Sequence, residues 1–156
     1  MKQVLTLRNL IKLGALLFAI AAFCMMFGNQ LTPVLSGHKG DPIAFDDALF
    51  GDHGAVLSFV GYILMLIAGI VAGLLVFLKA PANVKRYIAL GVAVVLITGA
   101  VFVFVEGAIV QNSYKDGLLN VKYELTVFPI LGGIFGIVAG LAVAASEFVP
   151  DKEFAK

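Results

Sequence analysis

The chain has 156 residues, of which 61% are hydrophobic and 13% charged, and its formal net charge is +1. A soluble domain of this size cannot bury so much apolar surface, so lipid has to solvate most of it. The near-neutral charge supplies no basic field for nucleic acid, and the single cysteine, Cys24, excludes a disulfide framework or a cysteine-built metal site.

A hydrocarbon core roughly 30 Å thick is crossed by about 20 apolar helical residues. Four such runs follow one another: Leu10 to Leu31, Ala55 to Leu78, Ile88 to Gln111 and Leu125 to Ser146. They predict an all-α integral membrane protein, a single four-helix antiparallel bundle occupying residues 1–156. The first run, with Lys2, Arg8 and Lys12 at its start, is expected to remain as a span. It continues apolar past the length of a signal core, and no A-x-A cleavage site follows it.

The first outer loop holds the densest polar stretch, "DPIAFDDALFGDHG" from Asp41 to Gly54. Asp41 before Pro42 reads as a helix start and Gly51 as its stop, with Phe45, Ala48 and Leu49 as an apolar stripe and Asp46 and Asp47 turned to water. Asp52 is expected to cap the second span. The four aspartates form an acidic rim. His38 and His53 flank it at no recognised ligand spacing, so neither a metal nor a cofactor is expected.

The second and fourth runs share the word "GIVAGL", at Gly69 to Leu74 and Gly136 to Leu141, and "KLGALL" from Lys12 aligns with "ALGVAV" from Ala89. Both matches suggest a duplicated helical hairpin; the alternative is that glycine-rich membrane helices repeat short words by chance. Gly61, Gly69 and Gly73 share one helix face, as do Gly132, Gly136 and Gly140. Such glycine zippers let a neighbouring backbone approach closely. Either the grooves mate inside the chain, or at least one receives a partner subunit or a second copy.

In the third run Glu106 is the one carboxylate well inside a predicted span, and an intramembrane acid is costly. Asn29 and Gln30 lie at similar depth on the first run, so the three residues make a candidate polar or ion site. Ser58, Tyr62 and Thr98 are read as packing hydroxyls satisfied by their own helices, Glu147 as an interfacial charge beside Lys152, and Pro129 as a first-turn residue.

Lys2, Arg8, Lys12, Lys79, Lys85, Arg86, Lys152 and Lys156 fall on one side, and most acids fall on the other. The positive-inside rule then predicts a multi-pass protein of the plasma membrane with both termini cytoplasmic. The layout is similar to claudin-type tetraspan proteins in topology alone, since the chain has no tryptophan and no cysteine pair. No Walker loop, G-x-S-x-G elbow or H-E-x-x-H motif occurs. The expected function is therefore non-catalytic: association through helices, as an accessory or structural subunit of a membrane complex or as a homo-oligomer. The alternative is a small ion or solute channel or transporter subunit using Glu106, and an enzyme acting on lipids comes third.

Overall fold

The computed structural model describes residues 6–35, 37–50, 56–113 and 121–150. Four helices in it are long and apolar enough to cross a membrane. α1 (Leu7–Cys24) starts at Thr6, whose hydroxyl accepts the Asn9 amide at 3.3 Å, and ends in a 3-10 turn, Met25–Phe27. A side-chain oxygen at this position satisfies one of the helix's orphan amides. α2 (Phe45–Phe50) is short; α3 (Val56–Leu74), α4 (Ala82–Ser113) and α5 (Val127–Ser146) are the other long helices. Pro129 is the third residue of α5, where an amide hydrogen would have no helical partner, so the helix runs through it.

α1 and α4 each pack along both α3 and α5, closing a ring of four. Alanines and glycines fill the contacts. Ala15, Ala19, Ala22, Ala68, Ala72, Ala89, Ala93, Ala100 and Ala139 are all buried, while Leu17, Ile67, Val94 and Leu141 face outward. That is the inverse of a soluble core, and it is what lipid demands: large apolar side chains outside, and small ones where backbones must approach.

α3 and α4 meet backbone to backbone. A Cβ on Gly61 would stand 2.5 Å from the Gly99 carbonyl oxygen, and one on Gly99 would stand 2.7 Å from the Gly61 carbonyl oxygen. Gly69 and Gly73 lie against Ala19 and Leu16 of α1. Gly136 lies between Met65 and Ala100, and Gly140 lies on Ile97 and Ala93 of α4. Gly132 faces Tyr62 and Ala22. All six of these glycines are thus buried among neighbours of the same chain.

The fold is not wholly helical. β1 (Leu31–Leu35) lies between β2 (His38–Lys39) and β3 (Lys122–Leu125) in a three-stranded sheet, antiparallel on both sides. Its register sets Leu31 opposite Leu125 and Val34 opposite Lys122. Gly37, with φ of +85°, makes the β1–β2 turn, in the left-handed region that favours glycine. Leu31, placed by its hydropathy at the end of the first span, is instead the first residue of β1.

The rim helix is also shorter than expected. It begins at Phe45, so Asp41 and Pro42 lie outside it. Ile43 is drawn into a bridge with Leu31: its amide donates to the Leu31 carbonyl at 2.7 Å, and its carbonyl accepts the Gln30 amide at 2.9 Å. Two backbone hydrogen bonds displace the extra helical turn. Asp46 and Asp47 are exposed and Ala48 is buried. The Phe45 and Leu49 side chains lie outside the described residues, as do Asp52, His53 and Lys152.

Candidate functional site

α4 is longer than a span requires, and its excess positions the polar site. Its inward stripe runs Ala89, Val92, Leu96, Gly99, Val103, Glu106 and Val110, three or four residues apart and all buried. Val103 belongs to the main core, whereas Val110 belongs to a second, small core with Leu31 and Ala48, backed by Ile43, Tyr123 and Leu125. Glu106 therefore sits at the seam between the helical ring and the sheet that caps it.

Its side chain is 0% exposed, and among the described residues neither carboxyl oxygen has a hydrogen-bond partner. Its polar neighbours are Ser58 and Tyr62 of α3. Both hydroxyls are committed elsewhere: Ser58 donates to the Phe102 carbonyl of α4 at 3.2 Å, and Tyr62 donates to the Gln30 side chain at 2.9 Å. The expectation that these hydroxyls bond within their own helix is corrected by both contacts. Each reaches a different element, because the glycine-lined seams bring that element within reach.

Gln30 is the best-satisfied residue of the cluster. Its side-chain amide nitrogen lies 3.1, 2.9 and 2.8 Å from the carbonyls of Met25, Met26 and Gly28, closing the end of α1. Its backbone carbonyl accepts the Thr126 amide at 3.1 Å. With Tyr62 on its remaining oxygen, Gln30 joins α1, α3, the sheet and the start of α5 in one network. Asn29 does not enter the cluster: its side chain is exposed, and its carbonyl accepts the Thr126 hydroxyl. Of the three predicted site residues, the structure brings Glu106 and Gln30 together through Tyr62 and leaves Asn29 at the surface.

A cavity of about 380 Å³ opens beside Asn29, Thr32, Lys39 and Glu124, where Lys39 and Glu124 form an exposed ion pair at 3.0 Å. Glu106 does not line it. Among the described residues no three histidine, cysteine, aspartate or glutamate side chains gather where a metal could be held. Asp41, Asp46 and Asp47 are exposed, and Cys24 faces outward from α1.

At the opposite end of the helices the sequence reading missed a buried ion pair. Lys12 Nζ lies 2.7 Å from Glu147 Oε1, and both side chains are 3% exposed. Lys12 looked like one more positive charge at a span's start, and Glu147 like an interfacial charge; only their separate positions near helix ends were visible. The pair forms part of the wall of a second cavity, of about 300 Å³.

Comparison with known proteins found no matching family model, curated protein or solved structure. The functional reading rests on the geometry.

Proposed function

We propose that the chain is a non-catalytic tetraspan protein of the plasma membrane that acts by association, as an accessory or structural subunit of a membrane complex or as a homo-oligomer. In this reading the four helices cross alternately as an antiparallel bundle, with both termini in the cytoplasm. The observation that carries it is the close-packed interior. Gly61 meets Gly99, the other zipper glycines meet α1, α3 and α4, and neither described cavity is lined by Glu106. A ring packed this tightly supports the reading of a rigid scaffold. Because the zipper glycines are occupied within the chain, a partner would rest on the outward side chains, such as Leu17, Val94 and Leu141.

The test is purification of the full chain from its native membrane in mild detergent, with identification of co-migrating proteins, together with its mass in lipid nanodiscs. A reproducible partner or a defined oligomer is expected. A strict monomer with no partner overturns the proposal.

In the first GIVAGL word Gly69 and Gly73 lie against α1; in the second Gly140 lies against α4, while Gly136 lies between Met65 of α3 and Ala100 of α4. Under the KLGALL–ALGVAV alignment, Leu16, which meets Gly73, corresponds to Ala93, which meets Gly140. That one matched contact supports a duplicated hairpin.

Glu106 favours a second reading, a small channel or transporter subunit. A buried carboxyl at the end of a span, with no hydrogen-bond partner among the described residues, is a default candidate for handling a cation or proton. Conduction would need an oligomer, since the single ring is closed. Cation or proton flux into proteoliposomes that disappears in Glu106→Gln would support this reading, and the absence of flux would remove it.

A further inference from the structure

The face of the sheet turned away from the small core carries a pairing of charges that the proposed association does not use. In the register of β1, Thr32 stands opposite Glu124 and Val34 opposite both Lys39 and Lys122, so these five side chains share one face. Leu31, Tyr123 and Leu125 alternate with them and pack in the small core beneath. Across β1, Lys39 Nζ meets Glu124 Oε2 at 3.0 Å. The two side chains are 68% and 54% exposed, and an ion pair so open to water holds weakly. A ligand carrying both signs can replace each side chain's partner with a charge of its own.

The pair stands on the wall of the 380 Å³ cavity, whose two sides differ in chemistry. Asn29 and Thr32 continue the polar side, while the first turn of α5 supplies the apolar side through Val127, Phe128 and Ile130. The Phe128 ring lies against Gly28, where a Cβ would collide with it, so the wall is fixed at that point. From the cavity onward, Val127, Ile130, Ile134 and Val138 make an exposed stripe on one face of α5, three or four residues apart. Polar groups thus meet the apolar surface of a span at its first residues, the depth of lipid headgroups.

We propose that this cavity selects the headgroup of phosphatidylethanolamine, with Glu124 on its ammonium, Lys39 on its phosphate and an acyl chain laid along the α5 stripe. Charge complementarity identifies the occupant. A carboxylate and an ammonium side by side match a headgroup whose own two charges are joined by a short carbon link, whereas Glu124 repels an acidic lipid. The primary ammonium donates N–H groups to Glu124 and to the side-chain oxygen of Asn29, which a choline headgroup cannot do. Choline recognition relies instead on a cage of aromatic faces, and among the described lining residues Phe128 is the only aromatic one. The volume lies at the lower end of ligand pockets, about 300–1,000 Å³, which suits a headgroup whose chains stay outside.

The experiment uses the full chain in nanodiscs of phosphatidylcholine containing equal small fractions of phosphatidylethanolamine and phosphatidylglycerol, with native mass spectrometry reading which lipids stay bound. Phosphatidylethanolamine should be enriched about fivefold over either of the others. Glu124→Gln should abolish that enrichment and raise retention of phosphatidylglycerol, because Lys39 is then an unmatched cation. Lys39→Gln should lower phosphatidylethanolamine retention about fivefold with no gain for the acidic lipid. Lys122→Gln, on the same sheet face but outside the cavity, should leave the selectivity unchanged. If a cavity variant does not fold, the wild-type protein decides: a phosphatidylethanolamine with a photoreactive acyl chain should label α5, and excess phosphatidylethanolamine, but not phosphatidylcholine, should compete the label away. The proposal is overturned if the wild type retains phosphatidylcholine or phosphatidylglycerol as well as phosphatidylethanolamine, if Glu124→Gln keeps the enrichment, if Lys122→Gln loses it as fully as Lys39→Gln, or if the label falls outside α5.

Discussion

Lys12 and Glu147 form an ion pair at 2.7 Å, with both side chains sealed from solvent, fastening the second turn of α1 to the residue that ends α5. Burying two charges costs several kcal/mol each, and their attraction offsets that cost only while both are present. Lys12→Met alone should therefore destabilise by about 3–5 kcal/mol, because Glu147 is left buried and uncompensated. Lys12→Met combined with Glu147→Gln should recover most of the loss. A double-mutant cycle read by thermal unfolding in detergent checks this; additive losses would mean that the pair is not coupled.

Two glycines on α4 make opposite predictions. Gly99→Ala would put a methyl 2.7 Å from the Gly61 carbonyl oxygen and 2.8 Å from Met65 Cγ, so α3 must move away from α4. Overpacking of this kind costs about 1–3 kcal/mol. At Gly91 a Cβ meets nothing within 4 Å, so Gly91→Ala should be neutral or stabilise by up to about 1 kcal/mol through helix propensity. Equal effects in unfolding experiments would show that the α3–α4 seam is looser than described.

The contrast between these glycines shows what was legible in the chain. The four spans and the small-residue faces were readable because apolar length and four-residue spacing are local signals. Boundaries moved where another rule took over. α4 starts at Ala82, after Pro81, rather than at Ile88, because Lys85 and Arg86 are good helix formers that hydropathy counts as loop. The sheet was invisible: β1 contains Pro33 and pairs with a segment beyond two further spans, so no local alternation announces it. Glu106 was legible as an oddity, but its neighbours Ser58 and Tyr62 were not, since a hydroxyl on an apolar helix does not declare which element it will reach. The Lys12–Glu147 pair was hidden for the same reason.

Tyr62 and Gln30 should behave as one unit. Tyr62→Phe removes the donor to a fully buried amide oxygen, and an unsatisfied buried acceptor costs about 1–3 kcal/mol. Gln30→Leu should cost at least as much, since it also frees the carbonyls at the end of α1. The double variant should be little worse than Gln30→Leu alone, and a loss equal to the sum would separate the two roles.

Glu106→Met tests whether the carboxyl is a cost or a contact. With no hydrogen-bond partner for either oxygen among the described residues, replacing the group by a flexible apolar chain of similar length should raise stability by about 1–3 kcal/mol in thermal unfolding. A loss of the same size would mean that the carboxyl is engaged by an ion or an ordered water, which would favour the transport reading.

The outer loop gives the last prediction, because its aspartates have different surroundings from those their order in the sequence suggests. Asp41 precedes an extended segment held by the Ile43–Leu31 bridge, four residues before α2 begins, so it has no helix to cap. Asp41→Ala should change stability by no more than about 0.5 kcal/mol, where a true capping aspartate would cost about 1 kcal/mol. Asp46 and Asp47 occupy the first turn of α2 and are exposed, so converting both to asparagine should remove only a weak interaction with the helix dipole, again within about 0.5 kcal/mol. Ile43 is the residue that matters here. Ile43→Pro deletes the amide that donates to Leu31 at 2.7 Å and should loosen the junction of sheet and rim helix, seen as faster hydrogen exchange in Leu31 and its neighbours. If Asp46 and Asp47 proved critical instead, with stability rising on addition of calcium, these carboxylates would be ligands and not the solvated face of a short helix.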